Sequence, residues 1–277
     1  MRVGDSEDRQ PAQKGKLRKD QKIDVGDRDK ARAAADEARR AIGIAQAQFD
    51  NINLDLMYAL PRQTLAQAEQ DIAIAERFGT AHLSAYHLTL EPNTLFHRRP
   101  PPLPDAELAA DMQDMIEARL AGAGFVNYET SAFAQPGREC RHNLNYWRFG
   151  DYLGIGAGAH SKLSFPGRIL RQMRYKQPRE YLEKAAAGAP VQEQHALAAA
   201  DLGFEFVMNA LRLAGGFAVP LFAERTGLGL AAIEQPLQEA VQRGLITRDP
   251  VRIAPTQRGR RFLNDLLQLF LPPGGSA

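Results

Sequence analysis

One cysteine, Cys140, stands in 277 residues. The chain can form no internal disulfide, and its own thiolates cannot hold a zinc ion or an iron-sulfur cluster. Apolar runs of membrane-spanning length are missing. The opening MRVGDSEDRQ also lacks the apolar core of a secretory signal, so a cytoplasmic protein is expected. Charge of one sign is missing too. The 35 Lys and Arg against 33 Asp and Glu leave a formal net charge of +2, with no overall field to draw in nucleic acid or an anionic membrane.

What is present suffices for a folded protein. At 44% hydrophobic, the chain can bury one large core, or a medium and a small one. Residues 1–26 are nearly all charged, Gln and Gly, without a period of two or of a helix; they are expected to be a disordered segment unrelated to the rest. An Ala-rich helix is predicted from Asp27. In INLDLMYALP, Ile52, Leu54, Leu56 and Tyr58 alternate with Asn53, Asp55 and Met57, which predicts a strand with one apolar and one polar face. Thr64 and Gln67 form a capping box ahead of the stripe Leu65, Ala68, Ile72 and Ala75, and HLSAYHLTL reads as a second strand. Strand, helix, strand is the order of a parallel βαβ unit, whose site-forming polar residues sit near the C-terminal strand ends. Asp105 caps a further helix with the stripe Leu108, Met112, Met115 or Ile116, and Leu120. FVNYETSAF is predicted as one more strand. From about Gln192 helices alone are expected, save a LIT/VRI hairpin turned at Asp249-Pro250, with a last helix over Thr256–Leu271.

Four segments, NINLDLMYALPRQT, HLSAYHLTLEPNTLF, CRHNLNYWRFGDYLGIGAGAH and GRRFLNDLLQLF, resemble in order the HemW/HemN family of radical-SAM proteins, the oxygen-independent coproporphyrinogen III oxidases with their haem-chaperone branch. The resemblance runs from about Asp27 to Leu271. It implies an α/β fold: residues 27–190 as the C-terminal remnant of a partial (βα)6 radical-SAM barrel, 191–271 as a small helical, winged-helix-like domain, and 272–277 as a tail. It also implies the family cofactors, S-adenosylmethionine and a 4Fe-4S cluster. The family's C-x3-C-x2-C loop and Gly-rich S-adenosylmethionine loop have no counterpart in this sequence, so an N-terminally truncated form without the cluster and without radical chemistry is expected. One cofactor residue carries over: the Asp of the family's N-x-D-L-x-Y-G-L-P strand falls on Asp55, an expected S-adenosylmethionine contact. Ala59 and Arg62 stand where the family usually has Gly, in a loop that favours small residues.

His142, Asn143, Tyr146 and Trp147 match the HNxxYW motif of the haem-chaperone branch. Read as chemistry, a neutral imidazole at His142 is a candidate haem-iron ligand, and Tyr146 and Trp147 offer flat faces for a porphyrin. Arg138, Arg141 and Arg148 can pair with propionates. Read as structure, His142 and Asn143 bond backbone in an irregular turn while Tyr146 and Trp147 fill a core. Cys140 is either a thiolate ligand or a small buried residue. His82, His87, His97 and His195 are expected to be structural or solvated, with His195 opening a helix, and His160 is placed at the same cavity as the motif. Gly154, Gly156 and Ala159 fit G-x-G-x-x-A, but no apolar strand precedes them, so close backbone approach is the expected reason for the glycines.

Haem is thus the expected ligand, and a haem-accepting respiratory protein or a membrane-associated one the expected partner. Self-association is expected through a strand edge left open before INLDLMY. Nucleic acid is not expected, because the candidate recognition helix carries Glu234 and Glu239. The competing reading is a non-enzymatic interaction module, or an unstable pseudogene product.

Overall fold

A computed structural model describes residues 25–272. The expectation for residues 1–26 lies outside the described residues except for its last two, as does that for the tail except for Pro272. The chain divides into Met1–Asp50 and Asn51–Ala277. In the first unit the Ala-rich stretch forms helix α1, Val25–Gln48, two residues longer at its start than the composition predicts.

The second unit opens with β1, Asn53–Tyr58, helix α2, Leu65–Glu76, and β2, His82–His87. β1 and β2 pair in parallel, Asn53 opposite His82 and Tyr58 opposite His87, as the βαβ reading requires. Both halves of the Thr64–Gln67 capping box form at the start of α2. A short helix α3, Leu95–Arg98, leads to α4, Ala106–Gly122, capped by Asp105. Ala68, Ile72 and Ala75 of α2 and Met112, Ile116 and Leu120 of α4 bury against Leu83 and Ala85. This covers one sheet face and leaves the face of Asn53, Asp55 and Met57 for polar groups.

The predicted strand FVNYETSAF is instead a hairpin of β3, Val126–Asn127, and β4, Ala132–Ala134. The Ala132 N–H donates to Glu129 O and the Tyr128 N–H to Ala132 O, closing a turn in mid-segment. β4 runs antiparallel to β2, and the mixed sheet has the order β1-β2-β4-β3, with no closed barrel among the described residues.

Helix α5, Arg141–Trp147, follows. Next come β5, His160–Phe165, β6, Arg168–Arg174, helix α6, Pro178–Ala186, and β7, Val191–Ala196, in an antiparallel sheet ordered β5-β6-β7. β7 corrects the expectation of helices alone from Gln192. His195 lies on this strand opposite Arg171 and opens no helix. The sheet also spans the 190/191 division expected from the sequence.

The C-terminal part comprises α7, Ala199–Ala210, β8, Phe217–Ala218, and α8, Val219–Thr226. A 3-10 turn over Leu230–Ile233 leads to α9, Glu234–Gln242, then the hairpin β9, Ile246–Arg248, and β10, Arg252–Pro255. The predicted last helix breaks at Phe262 (φ −111°, ψ 45°) into α10, Gln257–Arg261, and α11, Leu263–Gln268. Phe206, at 0% exposure, centres the core, its ring meeting Phe149, Phe217 and Phe222 edge-on at 4.9–5.8 Å. No described helix is long and apolar enough to cross a membrane.

Candidate functional site

The polar face of β1 and β2 carries a continuous set of hydrogen bonds. Asn53 Nδ2 donates to Asp55 Oδ1 at 2.8 Å, and Asn53 Oδ1 faces His82 Nδ1 at 2.7 Å while accepting from Ser84 Oγ at 3.1 Å. His82 Nε2 lies 2.8 Å from the Tyr128 hydroxyl, which accepts the Cys140 N–H at 3.3 Å. An amide oxygen only accepts, so His82 Nδ1 carries a hydrogen. Burial holds the imidazole below its ordinary 6.5 and so favours the neutral ring, partly opposed by Asp55 and Glu139. Its Nε2 lone pair is then free for the Tyr128 O–H. Burial likewise pushes the Tyr128 phenol up to about 12, keeping that proton in place. His82, expected to be structural or solvated, is 3% exposed and central to this set.

Tyr128 brings Asp55 and the HNxxYW helix into one structure. Cys140 immediately precedes α5, and its Sγ contacts Asn143 Oδ1 at 3.4 Å; the Asn143 side chain also acts on the Tyr128 hydroxyl. Cys140 is half-buried. Tyr146 and Trp147 pack on each other edge-on, with Tyr146 also against Tyr152 at 5.0 Å. The Arg212 guanidinium lies over the Trp147 ring at 5.3 Å. Trp147 Nε1 is buried and reaches no acceptor with good hydrogen-bond geometry, yet the indole acts on Glu129. Burial raises the Glu129 carboxyl above its usual range, against the pull of the Ser131 N–H, Arg212 and Trp147. His142 differs from its motif partners: it is exposed, and its imidazole makes no hydrogen bond to the described residues. Leu144 and Arg148 line a cavity of about 850 Å³ with Tyr128, Phe217 and Leu221; His142 does not line it.

The stretch after α5 is held by a buried lysine that the sequence does not single out. Lys162, 1% exposed, donates from Nζ to Asp151 Oδ1 at 2.9 Å, Phe149 O at 3.0 Å and Ser164 Oγ at 3.1 Å, and sits over the Phe149 ring. Burial lowers the ammonium. Burial would raise Asp151, but hydrogen bonds from Ser164 and Lys162 outweigh it and hold the carboxyl below its usual range. A Cβ on Gly154 would stand 2.1 Å from His160 O, the close approach expected, whereas Gly156 is needed for its left-handed φ of 110°. His160 is exposed at the start of β5. In the loop after β1, Ala59 and Arg62 both take left-handed φ values, 57° and 61°, which is the strain a glycine avoids.

Of the residues expected at the site, Asp55 and Asn143 are joined through Asn53, His82 and Tyr128. Tyr146 and Trp147 serve internal packing, and the His142 imidazole makes no hydrogen bond among the described residues. The period-two alternation of His82, Ser84 and Tyr86 with Leu83 and Ala85 could have pointed to His82. Tyr128 and Lys162 gain their importance from contacts across long sequence separations, and no local pattern marks them.

The HemN C-terminal domain family matches residues 197–262. The chain is 45% identical over 237 residues to the haem chaperone HemW of Escherichia coli K12, covering 85% of this chain and 62% of that one. It is 43% identical over 239 residues to the haem chaperone HemW of Haemophilus influenzae, covering 86% and 61%. It is 35% identical over 248 residues to that of Mycobacterium tuberculosis H37Rv, covering 87% and 59%. The solved structure of coproporphyrinogen III oxidase (HemN) from Escherichia coli, described as a radical SAM enzyme, superposes with a TM-score of 0.64 at 19% identity, over 81% of this chain and 56% of that one. The α/β fold is therefore that of the HemN proteins. By sequence the chain is similar to these curated haem chaperones, and it spans about 62% of the length of the first of them.

Proposed function

We propose that this chain is a HemW-like haem-binding protein in which His142 supplies the iron ligand from helix α5. The observation that carries the reading is the contrast within one motif. Asn143, Tyr146 and Trp147 are anchored by internal contacts, while the imidazole of His142 is exposed and unpartnered. A ligand on a helix whose neighbours are fixed is pre-oriented. The donor set fits haem: a neutral imidazole for iron, with Arg138, Arg141 and Arg148 close in sequence as cations for the propionates. When bound, haem would supply only its own iron coordination, and the chain would bind, orient and release it.

Asp55 fits S-adenosylmethionine in part. Its carboxylate is exposed on the polar face of β1, bonded to Asn53 and acting on the Tyr86 hydroxyl, and a carboxylate keeps further acceptor positions for an amino or ribose group. The 4Fe-4S cluster does not fit: three thiolates are required and this chain has one. Radical chemistry by this chain alone is accordingly outside the proposal.

The βαβ unit β1-α2-β2 with α4 supports the partial-barrel reading, and α7, α8 and α9 beside the β8-β10-β9 sheet support a winged-helix-like one. Arg248 is paired with Glu234, and Arg243 with Glu239, which favours a protein partner over nucleic acid. A haem-accepting respiratory or membrane-associated protein is the partner class proposed. Among the described residues β1 has a strand on one side alone, which supports self-association through the other.

Haem titration of the purified chain tests the reading. Wild type should saturate. His142→Ala should shift the haem absorption band and weaken affinity by about tenfold or more, while His195→Ala should match wild type. Absence of saturable binding, or a His142→Ala spectrum and affinity equal to wild type, would overturn it.

A further inference from the structure

The hydrogen bonds on the polar sheet face have a consistent direction. The Cys140 N–H gives to Tyr128 Oη, the Tyr128 O–H gives to His82 Nε2, the His82 Nδ1–H gives to Asn53 Oδ1, and Asn53 Nδ2 gives to Asp55 Oδ1. Each side-chain group in the series has one arrangement that satisfies both neighbours. We propose that His82 and Tyr128 are positioning residues that fix the start of helix α5, and with it His142, to the carboxylate of Asp55 on β1. The proposal rests on the haem reading for the role of His142, but the mechanical link stands on its own.

The link matters because, beside the packing of Leu144 on Tyr128, Ala132 and Ala134, it is a hydrogen bond that ties the residue preceding α5 to the sheet. Cys140 makes no side-chain cap to the helix, and α5 is only seven residues long. Nothing in its first turn is buried, whereas its last turn is held by Arg212 over Trp147 and by Tyr146 against Tyr152. The Tyr128 hydroxyl therefore sets where the helix begins, and His82 sets where that hydroxyl points. Because His82 is orientated by Asn53, and Asn53 by Asp55, a change at the Asp55 carboxylate alters the start of the haem-binding helix 85 or more residues along the chain.

Cys140 reports on this directly, since it is the single thiol in the sequence and lies at the far end of the series. The experiment measures its alkylation rate by iodoacetamide in the full chain at fixed pH, with the thermal melt followed in parallel. Tyr128→Phe should raise the rate about 2- to 10-fold, the equivalent of one lost hydrogen bond. Asp55→Ala should raise it by a smaller factor, and Asp55→Asn, which keeps an acceptor for Asn53, should restore the wild-type rate. His82→Gln should fall between wild type and His82→Phe. Arg179→Ala, on an exposed face of α6, serves as the control. A rate unchanged in Tyr128→Phe overturns the link to Tyr128, and a rate unchanged in Asp55→Ala overturns its extension to β1. If Asp55→Ala does not fold, Asn53→Ala removes the same connection and decides the point in the same way. In haem titrations Tyr128→Phe should also shift the absorption band with His142 intact. A wild type that binds no haem sinks the haem reading and leaves the thiol result to decide the link.

Discussion

The two halves of Asn51–Ala277 are built on opposite principles. In the C-terminal half, α7, α8, α9 and α11 bury Phe206, Phe222, Leu237, Leu266 and their neighbours from all sides, with the sheet β8-β10-β9 closing the core. The sheet β1-β2-β4-β3 is covered by α2 and α4 on one face, while its other face is organised by hydrogen bonds among Asn53, Asp55, His82 and Tyr128. The C-terminal half gains its stability from apolar area removed from water. The N-terminal sheet gives up some of that stability to keep a polar surface in order, and through Asn53, His82 and Tyr128 that surface connects Asp55 to the residue preceding α5. Apolar packing and polar ordering are divided between regions in this chain.

The largest effect that tests this division is Phe206→Ala. It removes three edge-on ring contacts at full burial and should cost about 3–5 kcal/mol by denaturant unfolding. Leu83→Ala, in the half-covered sheet, should fall near the lower end of about 2–5 kcal/mol. A larger loss at Leu83 than at Phe206 would break the comparison. Lys162→Met should come next, at about 2–4 kcal/mol. The variant leaves Phe149 O and Asp151 without their buried donor, and the figure is reduced because Asp151 remains partly in water.

A pH series sharpens the contrast. His82 is held below its ordinary 6.5 in the folded chain, so the unfolded chain binds more protons as pH falls through 6.5. Stability should rise with pH across that window and be lost on acidification from 6.5 toward the folded value. His82→Gln should flatten this slope, measured as unfolding free energy between pH 5 and 8 on the order of 1 kcal/mol; an unchanged slope would place the titrating group elsewhere. The smallest effect is expected at the strained loop. Arg62→Gly should raise stability by about 0.5–1 kcal/mol, because its φ of 61° suits glycine, and a melt lowered by the substitution would refute this.

These contrasts also explain what could be read from the residues alone. The alternation in NLDLMY, the Thr64–Gln67 capping box, the Asp105 cap and the hairpin at Asp249-Pro250 are local patterns, and each formed as read. FVNYETSAF failed because a turn closed by Ala132 and Glu129 competes with its β-rich composition. β7 was hidden because VQEQHA is mostly exposed and has no apolar alternation, its place being set by pairing with β6. For the site, the residue types at Asp55 and HNxxYW were visible. The division of labour within the motif was not, since it depends on contacts with Arg212, Tyr152 and Tyr128 that form only in the folded chain.

Lys162 has one more consequence. A sheet that is largely exposed and rich in polar residues, such as β5-β6-β7, can slide by one residue with little loss, because either face tolerates water. Here a slip would carry the Lys162 ammonium out to solvent and turn Leu163 inward, abandoning Asp151 and the Phe149 carbonyl together. The buried lysine thus acts as an index pin for the β5–β6 hairpin, giving this surface strand pair a single permitted alignment.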